Sequence, residues 1–165
     1  YRDTNWKIGH LWREAQNMLA ELTRGNVAKL GKKGVLTVVP EQLGVMLPSG
    51  LYLRYTDLQG EYNERGTQFT YKTREGLKNI YGGKVIENVC QALARCIIAE
   101  QMLKIPKRYR VVLTVHDSIV CCVPDTEVSE ARLSIEESMR WVPKWAEGLP
   151  LDCESGVGDS YGECE

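Results

Sequence analysis

Between Arg110 and Pro124 the chain runs Val111-Val112-Leu113-Thr114-Val115, then His116-Asp117, then Ser118-Ile119-Val120-Cys121-Cys122-Val123. Two β-branched runs separated only by a polar break predict a β-hairpin, closed at its far end by Pro124. Its apolar residues are nearly continuous rather than alternating. A hairpin of that kind is expected to be covered on both faces.

The flanking sequence supplies helices. From Trp6 to about Arg24, apolar residues recur at Ile8, Leu11, Trp12, Ala15, Met18, Leu19 and Leu22, the three-and-four spacing of one helical face, and Gly25-Asn26 is a stop signal. Gly82-Gly83 opens a longer helix from Lys84 to about Lys104, with Val85, Val89, Ala92, Cys96, Ala99 and Leu103 as its buried stripe. Pro106 ends it. A second row, Glu87, Gln91 and Arg95 at i, i+4 and i+8, gives that helix one polar side. After the hairpin, Thr126 is placed to cap a last helix with Glu127 in its first turn, burying Val128, Ala131, Ile135, Met139 and Val142. Two strand-like stretches, Val35–Val39 and Leu51–Tyr55, are separated by the turn signal Pro48-Ser49-Gly50. Gly31–Gly34 reads as a basic turn, and residues 56–80, polar and weakly periodic, read as a loop.

With 43% hydrophobic and 26% charged residues the composition is that of a globular chain, and no apolar run approaches the roughly 20 residues of a membrane span. The opening Tyr1-Arg2-Asp3-Thr4-Asn5-Trp6 has no initiator Met, signal or transit character, and is expected to be a cut inside a longer protein. A net charge of -1 neither points to nucleic acid nor excludes it. The distribution is more informative: Lys29, Lys32 and Lys33 cluster, as do Lys72, Arg74, Lys78 and Lys84, and Lys104, Lys107, Arg108 and Arg110. Each cluster by default is a solvated surface. Six cysteines contain no C-x-x-C pair, and only His10 and His116 could add imidazoles, which argues against a zinc site. They read as small buried apolar residues in a reducing cytosol.

Asp117 is the first candidate for chemistry. A carboxylate between two apolar strands is costly to bury and is usually exposed, paired or metal-bound, with a turn aspartate that caps its own backbone as the plain alternative. His116 alone is by default a hydrogen-bonded turn histidine. The Glu87–Gln91–Arg95 row by default is a solvated face. It also suits a polynucleotide, since Gln can hydrogen-bond base edges and Arg can hold phosphate. One carboxylate is too few for two-metal phosphoryl transfer, and no second candidate of comparable quality lies nearby.

Taken in order, Tyr81-Gly82-Gly83-Lys84-Val85-Ile86-Glu87-Asn88-Val89-Cys90-Gln91-Ala92-Leu93-Ala94-Arg95, then Val115-His116-Asp117, then the tail Gly158-Asp159-Ser160-Tyr161-Gly162-Glu163-Cys164, the chain resembles the C-terminal third of phage family A DNA polymerases. The match covers most of the chain from Leu47 onward. It implies an α+β fold, an antiparallel palm-type sheet whose β-hairpin packs against long helices. Residues 1–80 would then be a helix, β-hairpin and loop joining the fingers side to the palm, and residues 81–165 the C-terminal half of the palm. By the same resemblance Asp117 matches a carboxylate that holds two catalytic Mg²⁺ ions together with an upstream Asp. His116 matches the residue beside the primer 3′ end, and Gln91 the glutamine at the minor groove near the primer–template junction. Lys84, Glu87, Asn88 and Arg95 fall on the same DNA-contacting helix. The implied partners are primer–template DNA, dNTP and the remainder of the polymerase chain, with no membrane, in the cytoplasm of a bacterial host.

Three positions depart from the family pattern: Ser118 stands for a usual Glu, Glu87 for the Asn of bacterial members, and Cys96 for a frequent Asp. The first-motif Asp and the dNTP-binding fingers helix would both precede Tyr1, so the 165-residue chain alone is expected not to polymerise. Two other readings stay open. One is a non-enzymatic nucleic-acid-binding module of the same shape, binding through basic loops at 29–33 and 72–84. The other is an HD-type metal phosphohydrolase, which would need further His and Asp ligands.

Overall fold

A computed structural model describes residues 4–31, 35–64 and 66–164. The fold is α+β, three helices with antiparallel sheets, and it divides into two compact units, Tyr1–Leu93 and Ala94–Glu165.

In the first unit, α1 spans Trp6–Thr23. Its stripe is buried at Ala15, Met18, Leu19 and Leu22, whereas Trp6 and Ile8 are exposed, so only the C-terminal half of the predicted face is core. The predicted stop takes a specific form. Gly25 adopts φ 73°, and the N–H groups of Gly25 and Asn26 donate to the carbonyls of Leu22 (3.1 Å) and Glu21 (2.9 Å), the Schellman arrangement in which a left-handed glycine satisfies the last helix carbonyls.

The expected strands at 35–39 and 51–55 appear as β1 (Thr37–Val39) and β3 (Tyr52–Arg54), but they do not pair with each other. A strand missed by the sequence reading, β2 (Gly44–Met46), lies between them, antiparallel to both. Three residues are too few for a periodic signal. Its position depends on Gly44, where a Cβ would fall 2.2 Å from the carbonyl oxygen of Leu53.

A larger correction concerns residues 56–80. They form a three-stranded antiparallel sheet, β4 (Gln59–Asn63), β5 (Gly66–Thr73) and β6 (Gly76–Ile80), in place of the expected loop. Phe69 and Ile80, register partners, are its buried residues, with Tyr71 packed alongside. The opposite face carries Gln59, Glu61, Gln68, Thr70, Lys72 and Asn79, where Gln68 Nε2 donates to Asn79 Oδ1 at 3.1 Å. A sheet with one open polar face and one buried residue on most strands shows little hydrophobic periodicity. The Thr, Phe and Tyr residues of β5 held the remaining strand signal.

Helix α2 spans Gly82–Met102 and begins in the first unit. Its first turn sits directly on α1. A Cβ on Gly82 would lie 2.0 Å from the carbonyl oxygen of Trp12, and the Gly82 N–H donates to Gln16 Oε1 at 2.7 Å, satisfying one orphan donor of the helix start. Val85 and Val89 complete a core with Met18, Leu22, Val45 and Tyr55.

In the second unit, the remainder of α2 buries Cys96, Ile97 and Gln101, whereas Ala99 and Leu103, expected in the stripe, are exposed. Gln101 is the buried polar exception: its Nε2 donates to the carbonyls of Met139 and Trp141, which the end of a helix leaves unpaired. The predicted hairpin forms from β7 (Arg110–Val115) and β8 (Ser118–Cys122), with a bulge between Val111 and Leu113. One face, with Val111, Ile119 and Cys121, packs on Ile105, Tyr109 and helix α3 (Val128–Arg140) through Ala131 and Ile135. The other face is open at Val112, Leu113 and Cys122, so within this chain only one face is covered, contrary to expectation. Thr126 does not cap α3. It lies in a short 3-10 turn, Asp125–Glu127, and the helix starts at Val128 without a side-chain cap. Of the residues expected inside, Ala131 is buried and Val128, Ile135, Met139 and Val142 are half-buried.

The tail is held by charge. Arg140 bridges Glu136 (3.0 Å) and Asp152 (2.7 Å) and donates to the carbonyl of Cys153 (3.1 Å), and Ser155 hydrogen-bonds Glu136. Farther on, Ser160 and Glu163 cap each other reciprocally around the turn Tyr161–Glu163, and Gly158 packs where a Cβ would meet Glu163 Cβ at 2.6 Å. Cys96 is buried, Cys121, Cys153 and Cys164 are half-buried, and Cys90 and Cys122 are exposed, against the expectation that all are interior.

Candidate functional site

Each unit carries one group of the residues singled out by sequence. In the second unit, Val115 pairs with Ser118, leaving His116 and Asp117 as the two-residue connection of the hairpin. His116 has φ 53° and Asp117 does not share the positive sign, the order found in II′-type hairpin loops, whose first position normally holds glycine. A histidine there is strained, by about 1–3 kcal/mol, and both side chains project from the tip into solvent, as does Ser118. Asp117 forms no hydrogen bond or ion pair with the described residues. It does not cap its own turn, so its carboxylate oxygens are available. Among the described residues no group of three or more His, Cys, Asp or Glu is gathered closely enough to hold a metal ion. Asp117 thus fits a hard cation as a single oxygen ligand. His10, the other imidazole, lies on α1 in the first unit.

On α2, Glu87, Gln91 and Arg95 are all exposed and follow one another a turn apart, Glu87 and Gln91 in the first unit and Arg95 just beyond its boundary. Lys84 Nζ donates to Glu87 Oε1 at 2.7 Å, and this hydrogen bond holds the lysine above its usual pKa. Gln91 forms no hydrogen bond with the described residues. Asn88, half-buried on the same helix, faces inward toward Tyr55. Burial pushes the Tyr55 phenol up, and the Asn88 amide counters this in part, although among the described residues the buried Tyr55 hydroxyl has no partner at hydrogen-bond geometry. Asn88 therefore sits against the core rather than on the exposed row.

A further group falls in the stretch 72–84, expected from sequence as a basic loop able to bind nucleic acid. In the first unit, Arg74, Lys78 and Lys84 share an open depression with Tyr71, Thr73, Glu75 and Asn79. Its charges are visible in the sequence as a basic cluster, but only the β5–β6 hairpin brings them onto one surface. Of the other basic clusters, Lys32 and Lys33 lie outside the described residues. Arg108 is engaged by Glu127 and Glu130 of the acidic stretch.

The chain is similar to a protein named DNA polymerase from Bacillus phage SP02, with 32% identity over 173 aligned residues. That similarity covers 98% of this chain and 26% of the relative, so the chain spans about a quarter of the length of the protein it matches. No protein-family model matches the chain, and no solved structure matches it. Among the described residues no helix is long and apolar enough to cross a membrane.

Proposed function

We propose that the chain is the C-terminal palm portion of a family A, phage-type DNA polymerase, and that it contributes one catalytic carboxylate and a DNA-facing helix to template-directed nucleotide addition. The observation that carries this reading is Asp117: an unpaired carboxylate held at the tip of a short hairpin by a strained neighbour. The likeness to a DNA polymerase along nearly the whole chain supports it.

The reaction is attack of the primer 3′-hydroxyl on the α-phosphate of a dNTP, with pyrophosphate leaving. Asp117 would hold magnesium through a hard carboxylate oxygen. A magnesium ion held there would supply charge neutralisation at the reacting phosphate. In this reading the other ligands belong to the rest of the parent chain. His116, fixed beside Asp117 by its backbone conformation, is positioned to donate to the primer end. On α2, the free amide of Gln91 can hydrogen-bond base edges in the minor groove, with Arg95 one turn on as a phosphate contact and Glu87 restraining Lys84. Ser118 leaves the hairpin without a second carboxylate, so Asp117 is its sole acidic ligand.

In the full-length parent, Asp117→Asn is expected to lower nucleotide addition by about 10³-fold or more, the equivalent of several kcal/mol of metal-mediated stabilisation. Affinity for primer–template should stay within a few-fold, because a metal ligand and not a phosphate contact is lost. Single-turnover primer extension and equilibrium binding measure the two; an equal loss in both contradicts the assignment.

A second reading, a polymerase-shaped module that binds nucleic acid without catalysing, is favoured by the single carboxylate at the hairpin tip. It predicts that the full-length parent binds primer–template but extends no primer. The HD phosphohydrolase reading requires more His and Asp around the pair than the described residues supply.

A further inference from the structure

We infer that the β5–β6 hairpin, through Arg74 and Lys78, is a phosphate-contacting surface that extends the DNA-facing row of α2 onto the edge of the sheet. The nature of the ligand rests on the polymerase reading above; the surface itself follows from the arrangement of the first unit. Thr73 pairs with Gly76, so Arg74 and Glu75 form the two-residue tip of the hairpin. Lys78 stands opposite Tyr71 on the face that also buries Phe69 and Ile80. That face meets the first turn of α2, and Arg74, Lys78 and Lys84 line the resulting depression of about 560 Å³ together with Tyr71 and Asn79.

Three cations line it with one acid, Glu75, and Lys84 is also held by Glu87 from outside the depression. Arg74 has no ion pair or hydrogen bond with the described residues. Lys78 pairs with Glu75 at 3.0 Å, but both side chains are more than half exposed, and surface pairs of this kind contribute about 0–1 kcal/mol, so phosphate can replace Glu75 readily. Tyr71, on the same face as Lys78, adds a neutral donor of the sort that lines phosphate contacts. The depression is too open to enclose a small molecule, whereas a backbone lying across it meets every one of these groups. Lys84 also lies seven residues from Gln91 on one helix, roughly 10 Å along its axis. A duplex read at Gln91 therefore carries its phosphates toward Lys84 and on to the hairpin.

The test is a fluorescence-anisotropy titration of a labelled primer–template duplex between about 50 and 200 mM salt, with wild type, Arg74→Gln/Lys78→Gln and Gln91→Ala. Each lost phosphate contact removes about 0.9 from the slope of log K against log salt. The double variant should therefore flatten that slope by about 2, equally for all sequences, and Gln91→Ala should leave it unchanged. A double variant with the wild-type slope overturns the hairpin surface while leaving the polymerase reading intact. Failure of wild type to bind duplex at the lowest salt overturns both. Acetylation footprinting of wild type gives a reading independent of variant folding: bound duplex should protect Lys78, and no protection sinks the inference. Equal protection by polyglutamate of matched charge would reassign the surface to an acidic protein partner.

Discussion

At His116 the backbone holds φ 53° without the freedom of glycine. Replacing it by glycine removes that strain, offset in part by the greater entropy of the unfolded chain. His116→Gly is therefore expected to raise stability in urea denaturation by about 0.5–1 kcal/mol, yet to slow nucleotide addition in the full-length parent. A substitution that stabilises and disables together is the mark of strain kept for function, and no gain in stability would show that the hairpin accommodates histidine without cost. Gly82 makes the opposite case. A Cβ there would lie 2.0 Å from the Trp12 carbonyl oxygen, and both partners are helix backbone that cannot yield locally. Gly82→Ala should destabilise the chain by about 2–3 kcal/mol, seen as a lower urea midpoint. In the sequence Gly82-Gly83 marks a helix start, and α2 does begin there. That the glycine also permits α1 and α2 to touch backbone to backbone is invisible without the fold, because the contact lies 70 residues away along the chain.

Among the elements, the helices and the β7–β8 hairpin were readable because each has a strong local signal: a 3.6-residue stripe, or β-branched runs around a polar break. The β4–β5–β6 sheet was not. Its stability comes from ladder hydrogen bonds and from Phe69 and Ile80 packing on a distant core, with little amphipathic pattern of its own. The α2 stripe failed in one half for a related reason. Ala99 and Leu103 fit the period, but Ile97 and Gln101 turn inward instead, Gln101 because its amide meets the carbonyls at the end of α3.

Helix α3 and the tail form one electrostatic unit. Hydrogen bonds from Ser155, Arg140 and Arg132 pull the Glu136 carboxyl down to about 2 from an ordinary 4.5. Because the folded pKa lies below the unfolded one, the attachment contributes fully above about pH 4.5 and is lost as pH falls toward 2. Glu136→Gln should lower the urea midpoint at neutral pH, and its difference from wild type should shrink across that window. A difference constant from pH 5 to 2 would mean that the carboxylate does not anchor the tail.

For the whole molecule, the similarity to a phage DNA polymerase spans nearly all of this chain but only 26% of that relative, and the chain's chemistry matches that proportion. Asp117 is an available ligand, yet the described residues gather no further acids around it. The open apolar face of the hairpin at Val112 and Leu113 adds to the same picture, since near-continuous apolar strands are ordinarily covered on both sides. Asp117 stood out from sequence because a lone carboxylate between apolar strands is a local anomaly, whereas Gln91, on a row that by default is a solvated face, was marked by the family resemblance. Arg74 and Lys78 were legible only as part of a basic loop at 72–84 able to bind nucleic acid, since a basic cluster in sequence does not show which charges share a surface.

The sequence by itself determined the helices, the hairpin and the identity of its exposed carboxylate, because periodicity, β-propensity and a polar break are properties of neighbours along the chain. Only the tertiary structure decided that residues 56–80 are a sheet, that Gly82 is a contact point, that His116 is strained and that Arg74, Lys78 and Lys84 share a surface. Those depend on groups brought together by packing and backbone pairing, whose free energy is set by distance in space rather than separation in sequence.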